Sequence, residues 1–390
     1  MMSKEKRRVP KLRFPGFTED WERRKLTSFT QRVKGNDGRM DLPTLTISAS
    51  EGWLNQKDRF SANIAGSEQK NYTLLRQGEL SYNHGNSKLA KYGVVYALQE
   101  YKEALVPRVY HSFKVDESHD ALFVEYYFST KRPDRELRKL ISSGARMDGL
   151  LNIGYDEFTN ISISLPTFSE QKQIVALLKV CNKNITVHQR KIEHLNLKKK
   201  ALLQKLFPQN GECYPEHRFP GFTDAWEQRK FVDLFEYERP DAYIVKSDNY
   251  NDKFNMPVLT ANKAFILGYT NEKNSYDKPS IIFDDFTLDR KYVDFPYMLK
   301  SSAIKILTSK SQHNLRFLFE RLNATRFEVL GHARHYISVV QNTTTLCPSF
   351  EEEVCISNLL TKFDELLTLH QRKLEHLQFQ KKALLQQLFI

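Results

Sequence analysis

The stretch HQRKIEHLNLKKKALLQKLF (residues 188–207) returns as HQRKLEHLQFQKKALLQQLF at residues 370–389, with 15 of 20 positions unchanged across an offset of 182. Each copy closes a longer pattern. Seam positions recur at alternating steps of four and three through Ile174, Leu178, Cys181, Ile185, His188, Ile192, Leu195, Lys199, Leu202 and Leu206. They recur again through Ile356, Leu360, Phe363, Leu367, His370, Leu374, Leu377, Lys381, Leu384 and Leu388. Such spacing predicts a coiled coil. Because the offset is a multiple of seven, the heptad phase agrees, and the obvious partner for each helix is the other. His188, Lys199, His370 and Lys381 read as polar positions that set register rather than as ligands. Both helices begin after a proline with a capping box, Thr167-Phe-Ser-Glu170 and Ser349-Phe-Glu-Glu352, where hydroxyl and carboxylate would satisfy free first-turn amides.

A second repeated phrase precedes the first. RFPGFTEDWERRK (13–25) and RFPGFTDAWEQRK (218–230) agree at 10 of 13 positions with an offset of 205, so the second middle segment is shorter by 23 residues and otherwise unlike the first. Pro-Gly suits the centre of a type II turn, which would fold the flanking Phe and Trp side chains onto a hydrophobic surface. The middles read as mixed α/β. Strands are expected at LPTLTIS, GELSYN, GVVYAL, LFVEYYF and NISISLP, then at MPVLT, SIIFDD, AIKIL, LRFLFERL and YISVV, with a helix at PDRELRKLIS. The segments are 1–166 and 208–348 for the globular domains, and 167–207 and 349–390 for the long helices. A helix of that length spans about 58 Å, whereas nine residues of linker reach about 30 Å. The simple solution is an antiparallel two-helix coiled coil separating two domains related by a pseudo-two-fold axis.

Composition narrows the chemistry. No run reaches the roughly 18 apolar residues of a membrane span and the N-terminus lacks an apolar signal core, so a cytoplasmic location is expected. Cys181, Cys213, Cys347 and Cys355 form no C-x-x-C pair and are expected to be reduced, buried and inert, with no metal. The net charge of +12 resides in the first half, where residues up to Phe207 carry 36 Lys and Arg against 23 Asp and Glu. A polyanion such as nucleic acid is the natural partner.

Phosphate-loop, dinucleotide, metalloprotease and serine-hydrolase motifs are absent. Asp284-Asp285 followed by Asp289-Arg290-Lys291 is the nearest approach to a nuclease signature, and it reads better as a charged turn between strands. Nucleic-acid contacts are better supported. In the first half His84, Asn86, Lys88, Lys91 and Tyr92 lie in SYNHGNSKLAKYG, and Arg146 lies in SSGARMDGLLN; in the second half Arg290, Lys291, Tyr292, Arg334, His335 and Tyr336 are the candidates. Aligning Gly144-Ala-Arg146 with His332-Ala-Arg334 pairs the two arginines.

Two unlike domains, each followed by a near-identical helix opening LPTFSEQKQI or CPSFEEEVCI and closing on the repeated phrase, resemble the specificity (S) subunits of type I restriction-modification systems, the HsdS family. The resemblance covers essentially the whole chain. It implies two target recognition domains reading a bipartite double-stranded DNA site, with the helices as a ruler between them. It also implies a non-catalytic subunit that recruits two methyltransferase (modification) subunits and restriction/translocase subunits. S-adenosylmethionine, ATP and Mg²⁺ would then belong to those partners. The second half departs from the family pattern, because HARHYIS lacks the fuller Gly-Ala-Arg-x-x-x-Leu-Leu-Asn stretch of the first. A stand-alone DNA-binding nuclease and a structural coiled-coil adaptor are the alternatives.

Overall fold

The computed structural model describes residues 8–60, 66–85, 87–141, 150–209, 211–262, 264–310, 312–329 and 334–390. The chain divides into two compact units, residues 1–189 with 372–390 and residues 190–371. Each unit therefore combines a globular body with the beginning of one long helix and the end of the other.

In the first unit an opening strand, Glu22–Lys25, pairs antiparallel with a closing strand, Ser162–Leu165, which leads directly into the first long helix. Between them lies a four-stranded antiparallel sheet in the order Thr30–Arg32, His111–Val115, Leu80–Asn83, Val94–Ala97. Two smaller hairpin-like pairs and the helix Ala121–Ser129 complete the body. The second unit repeats this plan. Glu227–Lys230 pairs with Thr344–Cys347, and the main sheet runs Phe235–Glu238, Ile304–Ser309, Ser280–Asp284, Arg290–Val293. Two middles with little sequence in common thus share one strand order.

Three expectations fail. LFVEYYF lies in the helix Ala121–Ser129, LRFLFERL lies in the helix Leu315–Ala324, and YISVV falls on a short helix, His335–Ser338, and a 3₁₀ turn. Aromatic and β-branched content suggested strands, but the N-caps decide. Asp120 accepts hydrogen bonds from the Leu122 and Phe123 amides, and Asn314 accepts one from the Phe317 amide. Each cap satisfies donors that a helix start would otherwise leave bare. The first of these helices is buried on most sides, so its periodicity is hidden in sequence.

The repeated frame is built from a few exact correspondences. Gly16 and Gly221 have φ of +92° and +95°, the left-handed conformation a type II turn requires at its third residue. The turn delivers Arg13 to Glu170, with Nε and Nη2 donating to the two carboxylate oxygens at 2.9 and 2.8 Å. Arg218 holds Glu352 in the same way, with both contacts at 2.8 Å. Both carboxylates are almost completely buried. The capping boxes are accordingly half used. The Thr167 and Ser349 hydroxyls each accept the expected amide, while the carboxylates turn to arginine instead. The Glu352 carboxylate raises Arg218 above the ordinary arginine value.

Two aromatic trios show how the helices close the bodies. In the first unit Trp21 lies 5.8 Å from Phe123 and 6.2 Å, edge-on, from Phe389. In the second, Trp226 lies 5.7 Å from Phe317 and 6.1 Å, edge-on, from Phe207. The first core also joins Ile174 and Leu178 to Leu384 and Leu388, and the second joins Leu202 and Leu206 to Ile356 and Leu360. Within each unit the start of one 39-residue helix, Phe168–Leu206 or Phe350–Leu388, therefore lies beside the end of the other, running in the opposite sense. All twenty seam positions are buried or half-buried.

The two lysine seam positions face carboxylates within the protein. Lys199 donates to Asp364 at 2.6 Å and lies 3.7 Å from Glu320, with Arg316 bridging the same two carboxylates. Lys381 faces Glu125. There burial outweighs mutual attraction, pushing Glu125 up to about 7 and Lys381 below the usual lysine value. No helix among the described residues is long and apolar enough to cross a membrane.

Replacing Arg13 or Arg218 by Ala strands a buried carboxylate, which costs about 3–5 kcal/mol. Hydrogen exchange should show the first unit loosened by Arg13→Ala and the second by Arg218→Ala. The exposed Lys139→Ala, which breaks a surface pair with Glu136, should leave both within about 0.5 kcal/mol of the parent.

Candidate nucleic-acid interface

The described candidate residues of both halves gather around one hairpin of the shared fold. In each main sheet the last two strands form a hairpin, Leu80–Asn83 with Val94–Ala97 and Ser280–Asp284 with Arg290–Val293. In the first unit the loop that joins these strands carries His84, Lys88, Lys91 and Tyr92; in the second Arg290, Lys291 and Tyr292 lie in the strand that follows the loop, and Arg334, His335 and Tyr336 lie at the short helix His335–Ser338. Each loop is tied at its base to a segment arriving from far along the chain.

In the first unit that tie is His84, which is buried. Its Nδ1 lies 2.7 Å from the Leu151 carbonyl and its Nε2 lies 2.9 Å from the Val109 carbonyl. The His84 carbonyl in turn accepts the Leu151 amide, and Gly85 bridges Leu150. His111 stacks on His84 at 4.8 Å, with its Nε2 2.8 Å from the Ile153 carbonyl. Two histidines thus pin residues 150–153 to the main sheet. Beyond this anchor Lys88 and Lys91 are exposed, while Tyr92 is half-buried and its carbonyl accepts the Tyr82 hydroxyl at 2.8 Å. Gly93, at φ +79°, returns the loop to the sheet where a Cβ would stand 2.5 Å from the Asn83 carbonyl. Asn86 and Arg146 lie outside the described residues.

In the second unit the tie is Asp285. Its side chain accepts the Tyr336 amide at 2.8 Å and its carbonyl accepts the His335 amide at 3.1 Å, with His335 Nδ1 2.8 Å from the same carbonyl. Lys305 stands 3.6 Å from the Asp285 carboxylate. His335 and Tyr336 are fully buried and serve the fold rather than a surface. Arg290 donates to the Asn323 side chain at 2.8 Å and lies over the Phe327 ring, and its burial lowers it from the ordinary arginine value. Tyr292 is half-buried against Phe319 and lies beneath the Arg316 guanidinium. Lys291 and Arg334 are exposed. The acidic run is a turn. Asp284 accepts the Phe286 and Thr287 amides, and Asp289 accepts the Thr287 hydroxyl.

The structure therefore separates two roles that sequence presented together. His84, Asp285, His335 and Tyr336 hold the loops, while Lys88, Lys91, Lys291 and Arg334 face solvent. Two exposed apolar residues at the loop tips were not anticipated, Leu89 at 69% and Phe286 at 46% exposure. Their signal was a large apolar side chain inside a turn, where no strand periodicity requires one. The cysteines also depart from expectation. All four are free, but only Cys347 is buried, and Cys213 is exposed.

Burial pushes His111 down to about 4 from 6.5. In the unfolded chain this histidine takes its proton near 6.5, so acidification favours unfolding. Stability is fully present above that pH and falls by about 1.4 kcal/mol per pH unit toward 4. Thermal melts of the first unit should show this slope, and His111→Asn should flatten it.

Comparison with known proteins agrees with this architecture. The family model for the type I restriction modification DNA specificity domain matches residues 223–378. A 114-residue stretch is 43% identical to the type I restriction enzyme EcoR124I/EcoR124II specificity subunit of Escherichia coli, covering 27% of this chain and 28% of that protein's length. The type I restriction enzyme MjaVIII specificity subunit of Methanocaldococcus jannaschii is 22% identical over 312 residues, 68% of each chain. The crystal structure of the type I restriction-modification system S subunit from M. genitalium superposes over 98% of this chain and 99% of its own with a TM-score of 0.66 at 13% identity, a likeness of fold. Two bodies of one topology, each completed by a repeated long helix, together with these matches, make the chain similar to type I restriction-modification specificity subunits, with the DNA specificity domain itself matched over residues 223–378.

Proposed function

We propose that this chain is the non-catalytic DNA-reading subunit of a type I restriction-modification complex, each body reading one half of a bipartite double-stranded target. The observation that carries the reading is the tied hairpin loop, present at the same sheet position in both bodies on dissimilar sequences. A rigid base with a variable tip suits a reader whose target differs between halves. Lys88 and Lys91 supply phosphate or groove contacts in the first body, and Lys291 and Arg334 in the second. Leu89 and Phe286 supply apolar contact to bases. Side chains held on rigid anchors lose less freedom on binding than free loop residues do.

The long helices act as the ruler, spacing the half-sites by one to two duplex turns of ~34 Å. Their outer faces also carry a repeated feature. Val187 and Leu369 occupy equivalent positions of the two copies and are both exposed, as are Leu197 and Phe379, at 67% and 70%. Identical unpaired apolar positions suit two copies of one partner, and two methyltransferase subunits are the natural occupants. Those subunits bring S-adenosylmethionine, and the restriction/translocase subunits bring ATP and Mg²⁺. The complex works in the cytoplasm, where its DNA is. The nuclease alternative loses support because Asp284 and Asp285 are spent on backbone amides and Lys305.

Mapping methylated adenines in cells should return a bipartite motif that depends on this chain. Inserting one heptad into both helices should change the gap and leave both half-sites intact; an unchanged gap would sink the ruler. For the partner faces, native mass spectrometry of the complex should show two methyltransferase subunits with the parent chain. Leu197→Glu or Phe379→Glu should leave one and the double variant none, while two retained by the double variant would refute the assignment.

A further inference from the structure

Three potential metal ligands of different chemistry meet in the second unit, where the closing strand turns into the second long helix. His313 precedes the helix Leu315–Ala324, Cys347 ends the closing strand, and Glu353 stands in the first turn of the long helix. Their nitrogen, sulfur and oxygen ligand atoms all lie within 4.8 Å of one another. His313 Nδ1 is 2.8 Å from Glu353 Oε1, and the other carboxylate oxygen accepts the Asn314 amide at 2.7 Å. Cys347 is 2% exposed and Glu353 is fully buried, while one side of the imidazole reaches solvent.

The internal repeat supplies a control within the same chain. The corresponding residues of the first unit are His119, Leu165 and Gln171. Gln171 performs the same structural task, its oxygen accepting the Asp120 amide at 3.0 Å while its nitrogen donates to the Pro166 carbonyl. His119 is engaged elsewhere, 2.6 Å from Asp116 and stacked on Phe29. A neutral amide therefore suffices to cap the helix, and a leucine suffices to fill the strand end. The second unit instead buries a carboxylate and a thiol opposite an imidazole, two groups whose charged forms are costly to bury alone. A divalent ion bound to one thiolate and one carboxylate leaves no net charge in the site.

We propose that His313, Cys347 and Glu353 form a binding site for a zinc-class divalent cation that staples the second body to the start of the second long helix. The donor set of imidazole nitrogen, thiolate sulfur and carboxylate oxygen suits Zn²⁺ and, as a spectroscopic substitute, Co²⁺. Binding releases the Cys347 thiol proton to solvent, and water approaching from the His313 side supplies the remaining position. The ligands come from separate elements, so their sequence spacing matches no zinc motif, and the expectation of no metal followed from that spacing.

The test uses the full chain, stripped with a chelator and titrated with Co²⁺. One equivalent should bind with a sulfur-to-cobalt charge-transfer absorption that Zn²⁺ abolishes. The double variant Cys347→Leu/Glu353→Gln installs the first unit's residues and keeps the helix cap; it should fold and lose the band. His313→Asn, which leaves the thiol and carboxylate in place, should weaken Co²⁺ affinity at least tenfold. Absence of the band in the folded parent, or its persistence in the double variant, overturns the site.

Discussion

Neither globular body contains all of its own core. Trp21 and Phe123 are joined by Phe389, and Trp226 and Phe317 by Phe207, so the last turn of each long helix completes the body that the other half of the sequence begins. Each buried aromatic of this kind contributes on the order of 3–5 kcal/mol, a large share of a domain's net stability. The same constraint explains why the phrase ending in Leu-Phe is repeated so faithfully. It must fit two bodies whose intervening sequences have diverged, and only the frame around Trp21 and Trp226 is shared between them.

The buried ion pairs extend that frame. Arg13–Glu170 and Arg218–Glu352 fasten the turn after each Arg-Phe-Pro-Gly phrase to the first turn of the helix that leaves the same body. Beside each pair, a backbone amide reaches the end of the other helix, from Leu12 to the Gln387 carbonyl and from His217 to the Lys205 carbonyl. The opening phrase thus grips the beginning of one helix and the end of the other. Within such a clamp the inserted segments are free to vary, provided that their sheets keep the strand order and their caps keep the central helix.

Much of this was legible in the sequence because periodicity survives translation into structure. All twenty seam positions point away from bulk solvent, as steps of three and four require, and Gly16 and Gly221 take the φ their turn demands. Other features depend on contacts between residues far apart and left no local mark. Glu170 and Glu352 looked like capping-box carboxylates until Arg13 and Arg218 claimed them. His84, His335 and Tyr336 looked like surface contacts, since a polar residue beside glycine reads alike whether it anchors a loop or crowns it. The segment LFVEYYF looked like a strand because burial on most sides erased its helical period, and only Asp120 marked its start. The equivalence of the two sheets was not visible at all, since strand order is a property of pairing.

The central claim is that the end of the second helix belongs to the core of the first body. Native-state hydrogen exchange on Phe389→Ala tests it most directly. The account predicts that amides at Leu26, Phe123 and Ile163 lose protection by an amount set by about 3–5 kcal/mol, while Phe231, Ile281 and Phe317 keep theirs. Unchanged protection around Trp21, or equal loss in both bodies, would contradict it.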